Sequence, residues 1–425
     1  MSIFRNITEA ISDACFIWAQ EMHYVIRDEG VLIFFFIVPL AYPLLYSWIY
    51  NNETVHEVPV VVVDNSHTSL SRQFIRHCDA SPDVKILCYA ADLDEAKSLV
   101  SRQIAKGIYY IPSEFDIKVN RMEQATISVY VDMSLMLTYK AIYQTAMAVS
   151  QQMGAIIQTN VTRPATKREE QISAQPLAVE DVPIFNPAGG YGSFILPAVL
   201  MLIFQQTLVL GIGMSAGTAR ERNRYHELIP IDRHYQGVLR IVGGKALCYF
   251  MIYAIMGAYL TLAIPRLFNF VHIAQWSDLL ALMLPYSLSC IFFGMIVSCI
   301  VRYRENVMLL MVFVSIPLLF LTGVNWPQSN IPSFWQSISW LFPSTFGVRA
   351  FVRLNTMGGT LSDIMLEYRI LWGQAIFYFI ITSIVYRHQI YISRANALER
   401  IEHMGRKLEI GEKIRKRRRR LELPS

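Results

Sequence analysis

Few residues in this chain have the types and spacing that carry chemistry. Gly243-Gly244-Lys245 is the nearest approach to a phosphate-binding loop. It lacks the upstream glycine and the Ser or Thr after the lysine that such a loop uses on phosphate and magnesium. Any ATP-driven work therefore needs a separate engine. In the polar segment 51–187, Asp64, Asp132, His67 and His77 read as turn and cap residues rather than an acid–base set. The six cysteines show no CxxC or Cys/His spacing for a metal. Cys78 and Cys88 are the pair that would bridge in an oxidising compartment, with two free thiols as the alternative.

The remaining candidates are polar residues inside apolar stretches. Gln205 and Gln206 point about 100° apart on a helix, so one can face a cavity while the other bonds a neighbouring helix. Thr322 and Asn325 close another stretch, and Arg349 and Arg353 lie one turn apart further on. With Gln205 and Gln206, the residues Thr322, Asn325 and Arg349 are the candidate transport pathway. Interhelical hydrogen bonding and snorkelling are the alternative uses of these groups.

The elements that must hold them are membrane helices. The chain has 425 residues, 53% hydrophobic and 17% charged, with a net charge of +5. Soluble chains carry about 25% charged residues. The deficit is concentrated in apolar stretches long enough to cross a bilayer, charge-free at 31–50, 194–215, 246–264, 279–301 and 307–324, and at 366–386 with Glu367 and Arg369 cutting into the start. The first is too long for a cleaved leader and reads as an anchor. The excess positive charge sits in the tail, in Lys413 and Arg415 to Arg420, where anionic lipid or topology is a better use for it than nucleic acid.

Arg and Lys gather in the loop after the second stretch, the turn after the fourth and the tail after the sixth. That bias puts these loops and both termini in the cytoplasm, and segment 51–187 outside. Residues 1–29 have apolar positions at helical spacing: Ile7, Ile11, Ala14, Cys15, Trp18, Met22, Val25 and Ile26. Such a helix lies in the membrane interface or packs on the bundle. Segment 51–187 reads β-α-β-α-β-β-α, a mixed sheet with helical cover. Residues 326–360 are aromatic and broken by Pro332 and Pro343, which fits a re-entrant hairpin too short to span. The expected fold is an α-helical polytopic membrane protein of about six spans, with an extracytoplasmic α/β domain between the first two. Spans two to six occupy 188–388, the one sizeable cytoplasmic inter-span loop 216–240, and the basic tail 389–425.

Three blocks carry a resemblance. They are VLIFFFIVPLAYPLLYSWIYNNETVHEVPVVVVDNS, NPAGGYGSFILPAVLMLIFQQTLVLGIGMSAGTARERN and SIPLLFLTGVNWPQSNIPSFWQSISWLFPSTFGVRAF. They resemble bacterial ABC-2 type transport permeases with a large periplasmic domain after the first span. The resemblance implies an exporter subunit in the bacterial inner membrane, paired with a second permease and with a cytoplasmic ABC ATPase. ATP and magnesium would sit on that ATPase and no cofactor on this chain. A periplasmic adaptor is a further implied partner. Thr218, Arg220, Glu221, Arg222 and Glu227 would then form the ATPase coupling helix, and residues 1–29 the interface helix. A membrane-anchored sensor built on the α/β domain, or an ion-coupled carrier, are the competing readings.

Overall fold

The computed structural model describes residues 2–162, 166, 168, 184–186, 189–221, 237–301 and 303–391. The chain divides into two compact units. One comprises Met1–Asn51 with Tyr191–Ser425, and the other is Asn52–Gly190.

In the first unit, six helices are long and apolar enough to cross a membrane: Glu29–Ile49, Tyr191–Thr218, Val238–Leu267, Trp276–Ile300, Arg304–Leu321 and Met365–Tyr391. The expected polytopic helical architecture forms, with each expected stretch in its own helix. The boundaries shift outward where a charge has a partner. The third span begins at Val238 rather than 246, which puts Lys245 inside the helix. The sixth, Met365–Tyr391, keeps the expected Glu367 and Arg369 within its first turns and extends beyond 386 at its other end. Span two is the hub, with 83% of its most apolar stretch buried against 17% for span five. It packs on spans four and five and on the helix Pro343–Asn355.

Prolines shape two spans. Span one widens into a π turn at Ile33–Ile37 just before Pro39, and span three does so at Tyr259–Ala263 before Pro265. A proline has no N–H and crowds the carbonyl of the preceding turn, so the helix takes a wider turn there. The segment 326–360 forms two short helices, Ser333–Ser339 and Pro343–Asn355, with Pro343 opening the second.

The N-terminal helix Ser2–Arg27 packs on span three. Its buried face is Asp13, Ile17, Glu21 and Val25, four residues apart. The stripe read from the sequence is therefore rotated. Ile11 and Ile26 are exposed, and so is Phe16. Gly244 makes the contact possible, because a Cβ there would meet the Ala14 carbonyl oxygen at 2.8 Å.

In the second unit the strands are β1 (Val58–Asp64), β2 (Val84–Tyr89), β3 (Gly107–Ile111) and β4 (Ser128–Val131), in spatial order β2-β1-β3-β4. β1 runs parallel to β2 and β3, and β4 is antiparallel. A short helix, Phe115–Asn120, intervenes between β3 and β4 where none was expected. Asp64 is a turn residue. It accepts from Ser66 N, His67 N and Ser71 Oγ, and Thr68 caps the helix that follows.

β1 sends Val58, Val60 and Val62 to one face and Val61 and Val63 to the other. Cys78 packs with the first set and Cys88 with the second, and both are free thiols. The Cys78–Cys88 bridge considered from the sequence is not formed, because the sheet lies between the two side chains. Burial pushes the Cys78 thiol up to about 12. At pH 8 the folded protein should therefore alkylate at Cys88 and spare Cys78 until it is denatured. Peptide mass spectrometry reads this directly, and a linked Cys78–Cys88 peptide would refute it.

Candidate functional site

Two sets of polar residues are built into the first unit, one at each end of the bundle. The first gathers where spans one, three and five begin and spans two and four end. The end of span two supplies Arg220, whose guanidinium donates to the carbonyls of Ser298 and Val301 at the C-terminal end of span four. The next residue, Glu221, accepts from the backbone N–H of Arg304, the first residue of span five. A helix leaves carbonyls bare at one end and N–H groups at the other, so a cation followed by an anion suits this turn on both sides. The Arg304 side chain reaches back to Thr218 Oγ1 at 3.4 Å and to the Asp28 carboxylate at 3.3 Å. Asp28 also caps span one, accepting from Gly30 N and Val31 N. Gly217 lets the backbones approach, since a Cβ there would lie 2.9 Å from Arg304 Cα. Three of the five sequence-predicted coupling residues, Thr218, Arg220 and Glu221, thus meet in one clamp. Arg222 and Glu227 lie outside the described residues, as do most of loop 216–240 and the basic tail.

Beside this clamp, two acidic residues of the N-terminal helix meet bases on span three. Arg240 donates to Asp13. Lys245 Nζ lies 2.5 Å from Glu21 Oε2, with both side chains almost wholly buried. Tyr249 donates to the second oxygen of Glu21.

The other polar set involves the hairpin. Gln205 is buried in span two, and its Oε1 accepts from Ser344 N at 2.6 Å. This fastens the start of the helix Pro343–Asn355 to the hub. Arg349 donates through Nε to the carbonyl of Thr322 at 3.0 Å and lies over the Phe346 ring. Its Nη2 is buried without a hydrogen-bond partner. Arg353 pairs with Glu367 of span six at 2.8 Å. The structure therefore brings Thr322 and Arg349 together at the end of span five. Gln205 bonds the same hairpin helix separately. Gln206 is partly buried, and Asn325 is partly exposed beyond span five. Neither has a hydrogen bond described.

The model of the ABC-2 family transporter protein matches residues 30–384, from span one through the clamp residue Arg304 and the hairpin to most of span six. The chain belongs to the ABC-2 transporter family. No curated protein matches it. Members of this family are membrane transport subunits that work with an ATPase subunit, and the chain is accordingly an ABC-type permease and a multi-pass membrane protein.

In this permease the functional-site reading from sequence missed the acid–base links of the N-terminal helix. Asp13 and Glu21 fall on one helical face with Ile17 and Val25. That i, i+4, i+8 spacing was a legible sign that the face meets bases rather than water. Lys245 was missed because a lone lysine at the edge of an apolar stretch reads as a flanking loop residue.

Breaking a buried ion pair by removing one partner leaves an uncompensated charge. Lys245→Met should therefore destabilise the permease by about 3–5 kcal/mol. The double variant Glu21→Leu, Lys245→Met should recover much of that loss. Thermal unfolding in detergent distinguishes the two outcomes. Gln205→Leu should cost about 1–3 kcal/mol, because the Ser344 N–H loses its buried acceptor. The measurement is the same.

Proposed function

We propose that this permease is the membrane subunit of an exporter. It moves an amphiphilic or hydrophobic substrate out of the cytoplasm or the inner leaflet. A separate cytoplasmic ABC ATPase, carrying the ATP and magnesium, drives it. The observation that supports this best is the clamp of Thr218, Arg220 and Glu221 on Arg304, Asp28 and the end of span four. It stands directly before the loop 222–236 in the chain and ties the ends of four spans together. A push on that loop is then shared by spans one, two, four and five at once. The salt-linked N-terminal helix would extend the same plate. Rigid coupling of this kind is what a transporter needs if its fuel is burned on another chain.

The distribution of Arg and Lys supports an orientation with the clamp, both termini and the tail in the cytoplasm. The α/β unit and the hairpin would then lie on the periplasmic side of a bacterial inner membrane. Two permeases would make one transporter, and a periplasmic adaptor is a further partner for the α/β unit. Transport through the bundle would pass Gln205, Gln206, Thr322, Asn325 and Arg349.

A ligand-sensing role for the α/β unit has an observation of its own. A recess of about 510 Å³ between Phe115, Ile127, Met153 and Gly154 mixes apolar walls with Glu123, Ser150 and Gln158, and a Cβ at Gly154 would meet nothing within 4 Å. If that recess reads cargo, Gly154→Leu in the full chain should abolish cargo stimulation of ATP hydrolysis and leave basal turnover intact.

Deleting 222–230 should abolish co-purification with the ATPase. Arg304→Ala should retain association but lose most of the ATP-driven transport into inverted vesicles. Normal ATPase association after the deletion, or full transport by the Arg304 variant, would refute this mechanism.

A further inference from the structure

We propose that the recess where span three ends and span four begins is a binding site for a phospholipid headgroup. The recess has a volume of about 920 Å³. Leu262 and Pro265 belong to span three, Trp276 and Ser277 to span four, and the rest of the lining, with Gln275 capping span four, to the end of span three and the intervening loop. Its one charged lining residue is a base. Arg266 projects at the end of span three, His272 lines the loop, and none of the lining residues is acidic. Arg266 makes no ion pair among the described residues and is exposed. The nearest carboxylate on span four, Asp278, does not line the recess and accepts from Leu361 N instead.

The site is held in shape rather than left to a loose loop. Asn355, buried at the end of the hairpin helix, makes three bonds to the loop. Its carbonyl accepts from Ile273 N at 2.9 Å, its Nδ2 donates to Val271 O at 3.1 Å, and its Oδ1 pairs with His272 Nδ1. Phe270 N closes the loop onto the Pro265 carbonyl at 2.9 Å. The His272 ring is therefore fixed through one nitrogen by a neighbour that is itself fixed.

The chemistry favours a phosphate that carries an apolar tail. A guanidinium with donors in a planar fork suits phosphate oxygens. Apolar groups line the recess as well, with Leu262, Phe270 and the exposed Trp276 among them. The recess also lies at matching ends of two spans, where hydrocarbon gives way to headgroups and Trp is favoured. A free phosphate ion would leave most of this volume and all of these apolar groups unused. The inference depends on the six spans alone and not on the direction of transport or the identity of the ATPase.

Native mass spectrometry of the full-length chain, titrated with short-chain phosphatidylglycerol, tests the proposal. One tight adduct is expected. Arg266→Gln should weaken it about ten-fold, the loss expected for one charge-assisted hydrogen bond. Arg266→Lys should weaken it less, and Trp276→Ala should weaken it through the tail contact. Lys97→Gln, on the other unit, serves as the control and should change nothing. Arg266 is exposed, so an unchanged melting temperature in its variants will separate lost binding from lost folding. Three results would overturn the proposal. One is equal affinity in Arg266→Gln. Another is equal binding of a diacylglycerol with the same chains, which would make the recess an apolar groove only. The third is displacement of the lipid by an equal concentration of inorganic phosphate, which would make it a free-anion site.

Discussion

A bilayer offers no water to a bare carbonyl, a bare N–H or an ionised side chain, so each must find its partner inside the protein. The polar interior of this permease follows from that requirement. Tyr253 donates to Thr207, Tyr286 to the Met201 carbonyl, and Thr382 to the Phe292 carbonyl. Span two takes part in the first two of these bonds and in the Gln205–Ser344 bond, which is why it is both the most buried span and the one to which the hairpin is fastened. The hub is a product of hydrogen bonding as much as of packing.

The same requirement explains where charges sit. Arg220 and Glu221 are adjacent in sequence, and they complete a helix C-terminus and a helix N-terminus that the tight turn between spans four and five brings together. Lys245 is tolerated within a span because Glu21 pairs with it and Tyr249 holds the other oxygen of Glu21. Glu367 is tolerated because Arg353 reaches it. These pairings turn local helix ends into long-range ties. The buried pair of Glu21 and Lys245 adds specificity of docking more than stability, since desolvation offsets much of the attraction.

Glycines decide how close these ties come. Gly347 lies against the Tyr286 ring, where a Cβ would come within 2.3 Å of it, so the hairpin helix nests on span four. Gly244 does the same between span three and the N-terminal helix. Close approach shortens the links between these helices.

Much of the architecture was legible in the chain by itself. Six apolar stretches, a hairpin punctuated by Pro332 and Pro343, and a β-branched run at Val60 to Val63 are local signals, because bilayer thickness and strand period act on consecutive residues. Family membership followed from the same stretches. Other features depended on pairings that no local pattern contains. Asp13 with Arg240, Glu21 with Lys245, Asp28 with Arg304 and Gln205 with Ser344 join residues far apart in the chain. The sheet that separates Cys78 from Cys88 is likewise a product of the strand order. Hydrophobic length is a property of a segment. The satisfaction of a buried charge is a property of two segments in a folded bundle, and only the tertiary structure supplies the second.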